Sequence, residues 1–178
     1  IADSGNATAI TIDSAENVGI GVVPESAWRS TFTALQVGGM GSLAGDTSEA
    51  AGNQITLVNN AYLSNSAWTY KMTDEASFYQ QADGQHQWRV AASGSADAAI
   101  TWTTPMTILN NGYIDFGAYQ NTPSSSHGIE IRSPDGQLFI ARNGTGSQNM
   151  VFFKNSNGTV GTIDTSGSAT SYNTSSDY

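Results

Sequence analysis

Residues 76–91, ASFYQQADGQHQWRVA, hold two alternating runs, one containing Phe78 and the other Trp88, around Asp83-Gly84. An Asx-Gly pair tolerates the positive φ of a two-residue hairpin turn, so the stretch reads as two antiparallel strands back to back. The same pattern extends outward. Candidate strands cover 54–58, 67–72, 76–80, 85–91, 99–103, 106–109 and 113–116, with Asn110-Asn111-Gly112 as a second turn signal. Turns about every ten residues are the spacing of an all-β sandwich or barrel, and a sandwich-like domain over residues 53–118 is the expected fold here. Alternation pairs Trp68 with Tyr70, Trp88 with Val90, and Ile100 with Trp102.

Before this domain, residues 1–38 read as a short stalk-like β module. Strands are expected around Ile10-Thr11-Ile12, Val18-Gly19-Ile20 and Leu35-Gln36-Val37, with a helical turn at Pro24 to Trp28. Residues 39–52 are rich in Gly and Ala and read as a linker. After the domain, residues 119–178 form an expected meander with turns at Asp135-Gly136, Asn143-Gly144 and Asn157-Gly158. That last module is too small to bury a core alone, so its stability is expected to come from association with copies of itself.

The chain has 178 residues, a formal net charge of −9 and no cysteine. The charge opposes nucleic-acid binding, which needs a basic footprint, and equally opposes charge-driven adhesion to an anionic membrane. No apolar run is long enough to be a membrane helix. Without cysteine there is neither a disulfide framework nor a thiolate metal site. A start at Ile1 suggests a piece of a longer protein.

Catalytic and metal-binding patterns are weak. His86 and His127 lack ligand spacing, so no metal or other cofactor is expected. Asp74, Glu75, Asp83, Asp97, Asp115 and Glu130 could supply a pair of converging carboxylates, although adjacent Asp74 and Glu75 would point to opposite faces of a strand. Sugar binding has better grounds, because aromatic faces among amides and charges suit glycans. The candidates are Tyr62, Tyr70, Tyr79, Gln81, His86, Arg89 and Tyr119. Trp68, Trp88 and Trp102 are assigned to the core instead. Val18, Ile20, Val160 and Ile163 lie in glycine-flanked strands that one chain would cover thinly. They are assigned to an interior shared between chains, the alternative being edge-strand packing within one chain.

Two phrases carry a resemblance. Asn17-Val18-Gly19-Ile20-Gly21, followed by Pro24 and Leu35-Gln36-Val37, resembles a repeat frequent in phage fibre stalks, here with a longer insertion carrying Trp28 and Phe32. The ending, Ser171-Tyr172-Asn173-Thr174-Ser175-Ser176-Asp177-Tyr178, resembles the junction of bacteriophage tail fibres and tailspikes with a C-terminal self-cleaving intramolecular chaperone. In that family the junction runs into Arg-Leu-Lys-Glu, and the Ser matching Ser176 is the cleavage nucleophile, activated by a nearby Lys. That Lys is not in this sequence, so Ser176 is expected to be a processing mark and the chain not to be an enzyme.

The resemblance implies an elongated, intertwined homotrimer in a virion appendage, joined to other virion tail proteins. It would act outside the host cell by non-covalent recognition of a surface polysaccharide or lipopolysaccharide. A glycan-cleaving tailspike and a purely structural spacer are the alternatives.

Overall fold

The computed structural model describes residues 9–48, 52–117 and 128–174, and the chain is all-β. Eleven strands form one sheet in the order β1 (Ile10–Ile12), β2 (Val18–Ile20), β3 (Phe32–Val37), β4 (Gly41–Asp46), β5 (Gln54–Asn59), β8 (Asp74–Ala82), β9 (Gln85–Gly94), β10 (Thr103–Ile108), β11 (Tyr113–Gly117), β12 (Gly128–Arg132) and β13 (Gln137–Ala141). The omitted pair, β6 (Ala61–Leu63) and β7 (Trp68–Tyr70), is a separate hairpin. β14 (Gln148–Asn155), β15 (Gly158–Ser166) and β16 (Ala169–Thr174) form a three-stranded sheet of their own.

The large sheet is a meander, antiparallel throughout except where β2 runs parallel to β3. Its turns follow the residues that permit them. Asp83 and Gly84 both have positive φ, at 53° and 72°, the mirror-image turn whose twist suits a hairpin. Pro105 lies where the register of β9 and β10 shifts between Thr103 and Met106, the kind of irregularity at which a strand tolerates proline.

The phrase at residues 17–24 closes the N-terminal edge. Asn17 is buried. Its Oδ1 accepts from the Ala34 N–H at 2.9 Å, and its Nδ2 donates to Asp13 Oδ2 at 2.9 Å. A Cβ on Gly19 would stand 2.2 Å from the Val22 carbonyl oxygen and 2.9 Å from Pro24 Cδ, so only glycine fits. The buried Gln36 accepts from the Glu25 N–H and donates to the Gly38 carbonyl, pinning the loop that carries Trp28 across the sheet. This loop turns at Ser26-Ala27 where a short helical turn is expected, without a helical segment forming.

The β6–β7 hairpin and Trp28 cover one face of β3, β4, β5, β8 and β9. Trp28, Phe32, Tyr62, Leu63, Tyr70 and Phe78 are packed over Ala34, Ala44, Ala76 and Ala91, with Trp68, Ile100 and Trp102 at the margin. Trp28 stacks on Phe32 and meets Tyr62 and Trp68 edge-on, all with ring centroids 6.3 Å apart. The alanines make a shallow floor that leaves room for this aromatic layer. Gly94 belongs to the same fit, since a Cβ there would lie 2.3 Å from the Tyr70 ring.

Three expectations need correction. Residues 39–52 are not simply a linker, because they contain β4, paired on both sides within the sheet. The 53–118 region is not a sandwich of two comparable sheets: its strands continue the N-terminal sheet and receive only a two-stranded cover. Residues 99–103 do not make a strand before β10; an isolated bridge between Thr69 and Ala99 stands there instead.

Asn60 fastens the cover to the sheet. It is fully buried with φ 57°, donates from Nδ2 to the Met72 and Glu75 carbonyls, and accepts from the Met72 N–H. Asn60→Ala leaves three backbone groups unsatisfied in a strained conformation and is expected to cost about 3 kcal/mol. Asn60→Gly loses the same hydrogen bonds but carries no penalty for the positive φ, so it should cost less. Urea unfolding of the two variants measures the difference.

Candidate functional site

Alternation along each strand gives the sheet two unlike faces. On the side away from the hairpin, one transverse row crosses every strand. It runs Ile12, Val18, Leu35, Leu43, Leu57, Tyr79, Trp88, Met106, Phe116, Ile129 and Ile140, each paired with the next. A flanking row adds Ile55, Gln81, His86, Ile108, Ile114, Ile131 and Leu138. No element among the described residues covers this face: Leu57 is 60% exposed, Leu43 43% and Ile140 37%.

The covered side changes character past β9. There the hairpin ends and a groove of about 940 Å³ opens between Trp102 and Glu130. Its floor is a cross-strand row of Gln87, Thr107, Asp115 and Glu130, followed by Phe139. Arg89 marks the border. Its guanidinium lies 5.0 Å over the Phe78 ring and donates to Gln87 Oε1.

Asp115 and Glu130 are directly opposed, a like-charge pairing that ordinarily destabilises a sheet. Both are buried, at 7% and 2% exposure. Glu130 is ion-paired to Arg132, whose guanidinium stacks between Tyr113 and Phe139 at 5.1 and 4.1 Å from their ring centres. Burial, then the charge of Glu130 and a hydrogen bond shared with it, push the Asp115 carboxyl up to about 6, and Arg132 offsets part of this. Asp115 and Trp102 both line the groove, while Asp115 Oδ1 and Trp102 Nε1 themselves are buried out of its reach and without a hydrogen-bond partner among the described residues.

The residues expected to bind ligand do not converge. Tyr62 and Tyr70 belong to the core at 7% and 5% exposure, and Tyr70 Oη donates to the Ala92 carbonyl. Tyr62 is therefore not placed to meet a ligand, because Trp28 packs against it. Tyr79, Gln81 and His86 lie on the open apolar side, where Tyr79 Oη and His86 Nδ1 are 2.5 Å apart. Arg89 alone reaches the groove. Trp68 and Trp102 meet the core as expected, whereas Trp88 packs against Tyr79 on the opposite face. Tyr119, His127 and Ser176 lie outside the described residues.

Of the residues assigned to a shared interior, Val18 and Ile20 fall on the open face. Val160 and Ile163 are in the separate sheet, and Val160 occupies the register shift opposite Phe153 and Lys154. Of the six acidic candidates, Asp115 and Glu130 are directly opposed on adjacent strands, and Asp74 and Glu75 are exposed neighbours on β8; neither arrangement is the pair held across a gap of roughly 5–10 Å that a glycosidase needs. That Trp102 borders a groove was not legible in the sequence, since only the end of the hairpin cover leaves it there.

Comparison with protein-family models, curated proteins and solved structures returned no match.

The raised Asp115 pKa has a definite sign. The folded state holds this proton up to about pH 6, while the unfolded carboxyl releases it near 3.8. Stability from this group falls as pH rises through that window, and the full cost of about 2–3 kcal/mol is present above it. Asp115→Asn is expected to raise the melting midpoint by roughly 5 °C at pH 7.5. Near pH 4 the gain should almost vanish. Scanning calorimetry at the two pH values checks both.

Proposed function

We propose that this chain is a segment of a bacteriophage tail fibre or tailspike, built as a homotrimer and attaching the virion to its host. The observation that carries this reading is the apolar row crossing all eleven strands of the main sheet. Together with its flanking residues it presents on the order of 1,000 Å² of exposed apolar side chain, above the roughly 300–600 Å² of the largest patch on a typical monomer. That area also matches the roughly 800 Å² per partner of a stable interface. The occupant that accounts for such a surface is the same surface on other copies, so that three thin sheets share one interior. The three-stranded sheet has the same need, with Phe152, Phe153 and Tyr172 exposed.

The stalk-like phrase at residues 17–24 and the ending at residues 171–178 support placing this assembly in a virion appendage, beside other tail proteins and outside the host cell. Attachment is by non-covalent recognition of surface polysaccharide or lipopolysaccharide, strengthened by three identical sites on one particle. No catalytic step is assigned to the chain.

Light scattering on the purified chain is expected to give three times its 18.6 kDa mass. Leu57→Glu, at the middle of the exposed row, should yield monomers because three charges would be buried in the shared interior. A parent chain that stays monomeric at micromolar concentration would overturn the trimer.

A further inference from the structure

We infer that His86 makes assembly across the open face pH-dependent: chains associate while its ring is neutral and separate when the ring takes a proton. This rests on the trimer reading above and adds the condition under which that trimer holds.

In the two rows that cross the open face, only Tyr79 and His86 carry an ionisable group, and only His86 can become a cation. The other side chains of those rows are apolar, apart from Gln81. His86 lies among them, paired directly with Gln81 on β8 and Ile108 on β10, with Ile114 next on β11. Trp88 stands beside it on the same face of its own strand. Tyr79 reaches it from β8, with Oη 2.5 Å from Nδ1 and the ring centroids 5.9 Å apart. That hydroxyl serves either form of the ring, donating to a bare Nδ1 and accepting from a protonated one, but it brings no compensating charge. Carboxylates bring none either. Asp83 stands in the β8–β9 turn and Glu75 near the far end of β8, and among the described residues neither forms an ion pair with His86.

Imidazole is the side chain whose charge ordinarily changes between pH 5 and 8. In a single chain the His86 ring is half-buried and still meets water, so it is free to take the proton. In the trimer the same proton would place an unpaired cation in a shared apolar interior, which is strongly unfavourable. The assembled state therefore binds fewer protons than the separated chains, and association weakens as pH falls. Three copies compound the effect. A cost of about tenfold per chain becomes about a thousandfold in the formation constant and raises the concentration at half-assembly about 30-fold.

The other titrating groups push the opposite way. The net charge of −9 shrinks as carboxyls take protons, which lessens repulsion between chains. Asp115, raised to about 6, lines the groove on the other side of the sheet, and its protonation relieves the fold. Loss of association in mild acid is thus a specific mark of the open face.

Light scattering on dilution series of the full chain, at pH 7.5 and 5.5 in equal salt, reads the half-assembly concentration. One low urea concentration common to all samples brings a very tight trimer into range. The parent is expected to need about 30-fold more chain at pH 5.5. His86→Gln keeps a neutral acceptor for the Tyr79 hydroxyl and should shift less than about threefold between the two pH values. His127 is still present in that variant, so any effect of its own is measured there. His86→Lys, charged at both pH values, should be monomeric at both where the parent is trimeric at pH 7.5. Circular dichroism checks that each variant keeps its strands.

A parent equally trimeric at both pH values overturns the inference and leaves the trimer standing. Tighter association at pH 5.5 does the same, as does a shift in His86→Gln as large as the parent's. A parent that is monomeric at pH 7.5 removes the trimer and this inference with it.

Discussion

A sheet has two faces, and the described residues supply cover for only part of one. The cover is small: a hairpin of three-residue strands, and a loop held by Gln36 that lays Trp28 across β3. It suffices because the floor beneath is alanine, and a shallow floor lets a single aromatic layer close over five strands. Every other surface of the sheet is left uncovered by the described residues. On the side away from the hairpin the residues are largely Leu, Ile, Val and aromatic, which solvation does not suit. The open side is thus the part of the architecture that contacts among the described residues do not account for.

The covered side is divided at β9. Up to that strand its side chains are core; beyond it they are Thr107, Asp115 and Glu130, polar groups sunk in a groove. Opposed carboxyls of this kind do not stabilise a sheet, and Arg132 neutralises only one of them. Replacing Asp115 with a neutral residue would relieve the fold at neutral pH. A residue that strains its own scaffold fits better as part of a surface used for binding than as packing, since binding sites are where local stability is set aside.

The turns were legible from residue types alone. Asp83-Gly84, Asn110-Asn111-Gly112 and Asn157-Gly158 each join adjacent antiparallel strands, because few other residues accept the backbone angles required. β4 was hidden for the opposite reason. Gly41, Ser42, Ala44 and Gly45 look like a linker because strands are usually recognised by bulk, yet the small Ser42 and Ala44 are what the layer above needs. The extent of the sheet was also out of reach. Alternation reports that a strand has an apolar side but not which strands share it, so Trp88 reads like Trp68 although the two lie on opposite faces. The candidate site was legible only as ingredients. Asp115 and Glu130 stood among six acidic residues, and their pairing depends on the β11–β12 register.

That register ties the two faces together. β9 turns Trp88 and Val90 to the open side and Gln87 and Arg89 to the groove, and β11 divides Phe116 from Asp115 in the same way. A slip of one residue in either strand would drive charges into the apolar row and leucine-like bulk into the groove. The turn at Asp83-Gly84 and the irregularity around Pro105 fix the alignment on both sides of β9, so the alternation that exposes an oligomer-sized apolar face also aims Arg89 and Asp115 at the groove. Covering the apolar side should therefore hold the groove in shape without touching it. An assembly that used the first face would carry the second outward, once per chain and already formed.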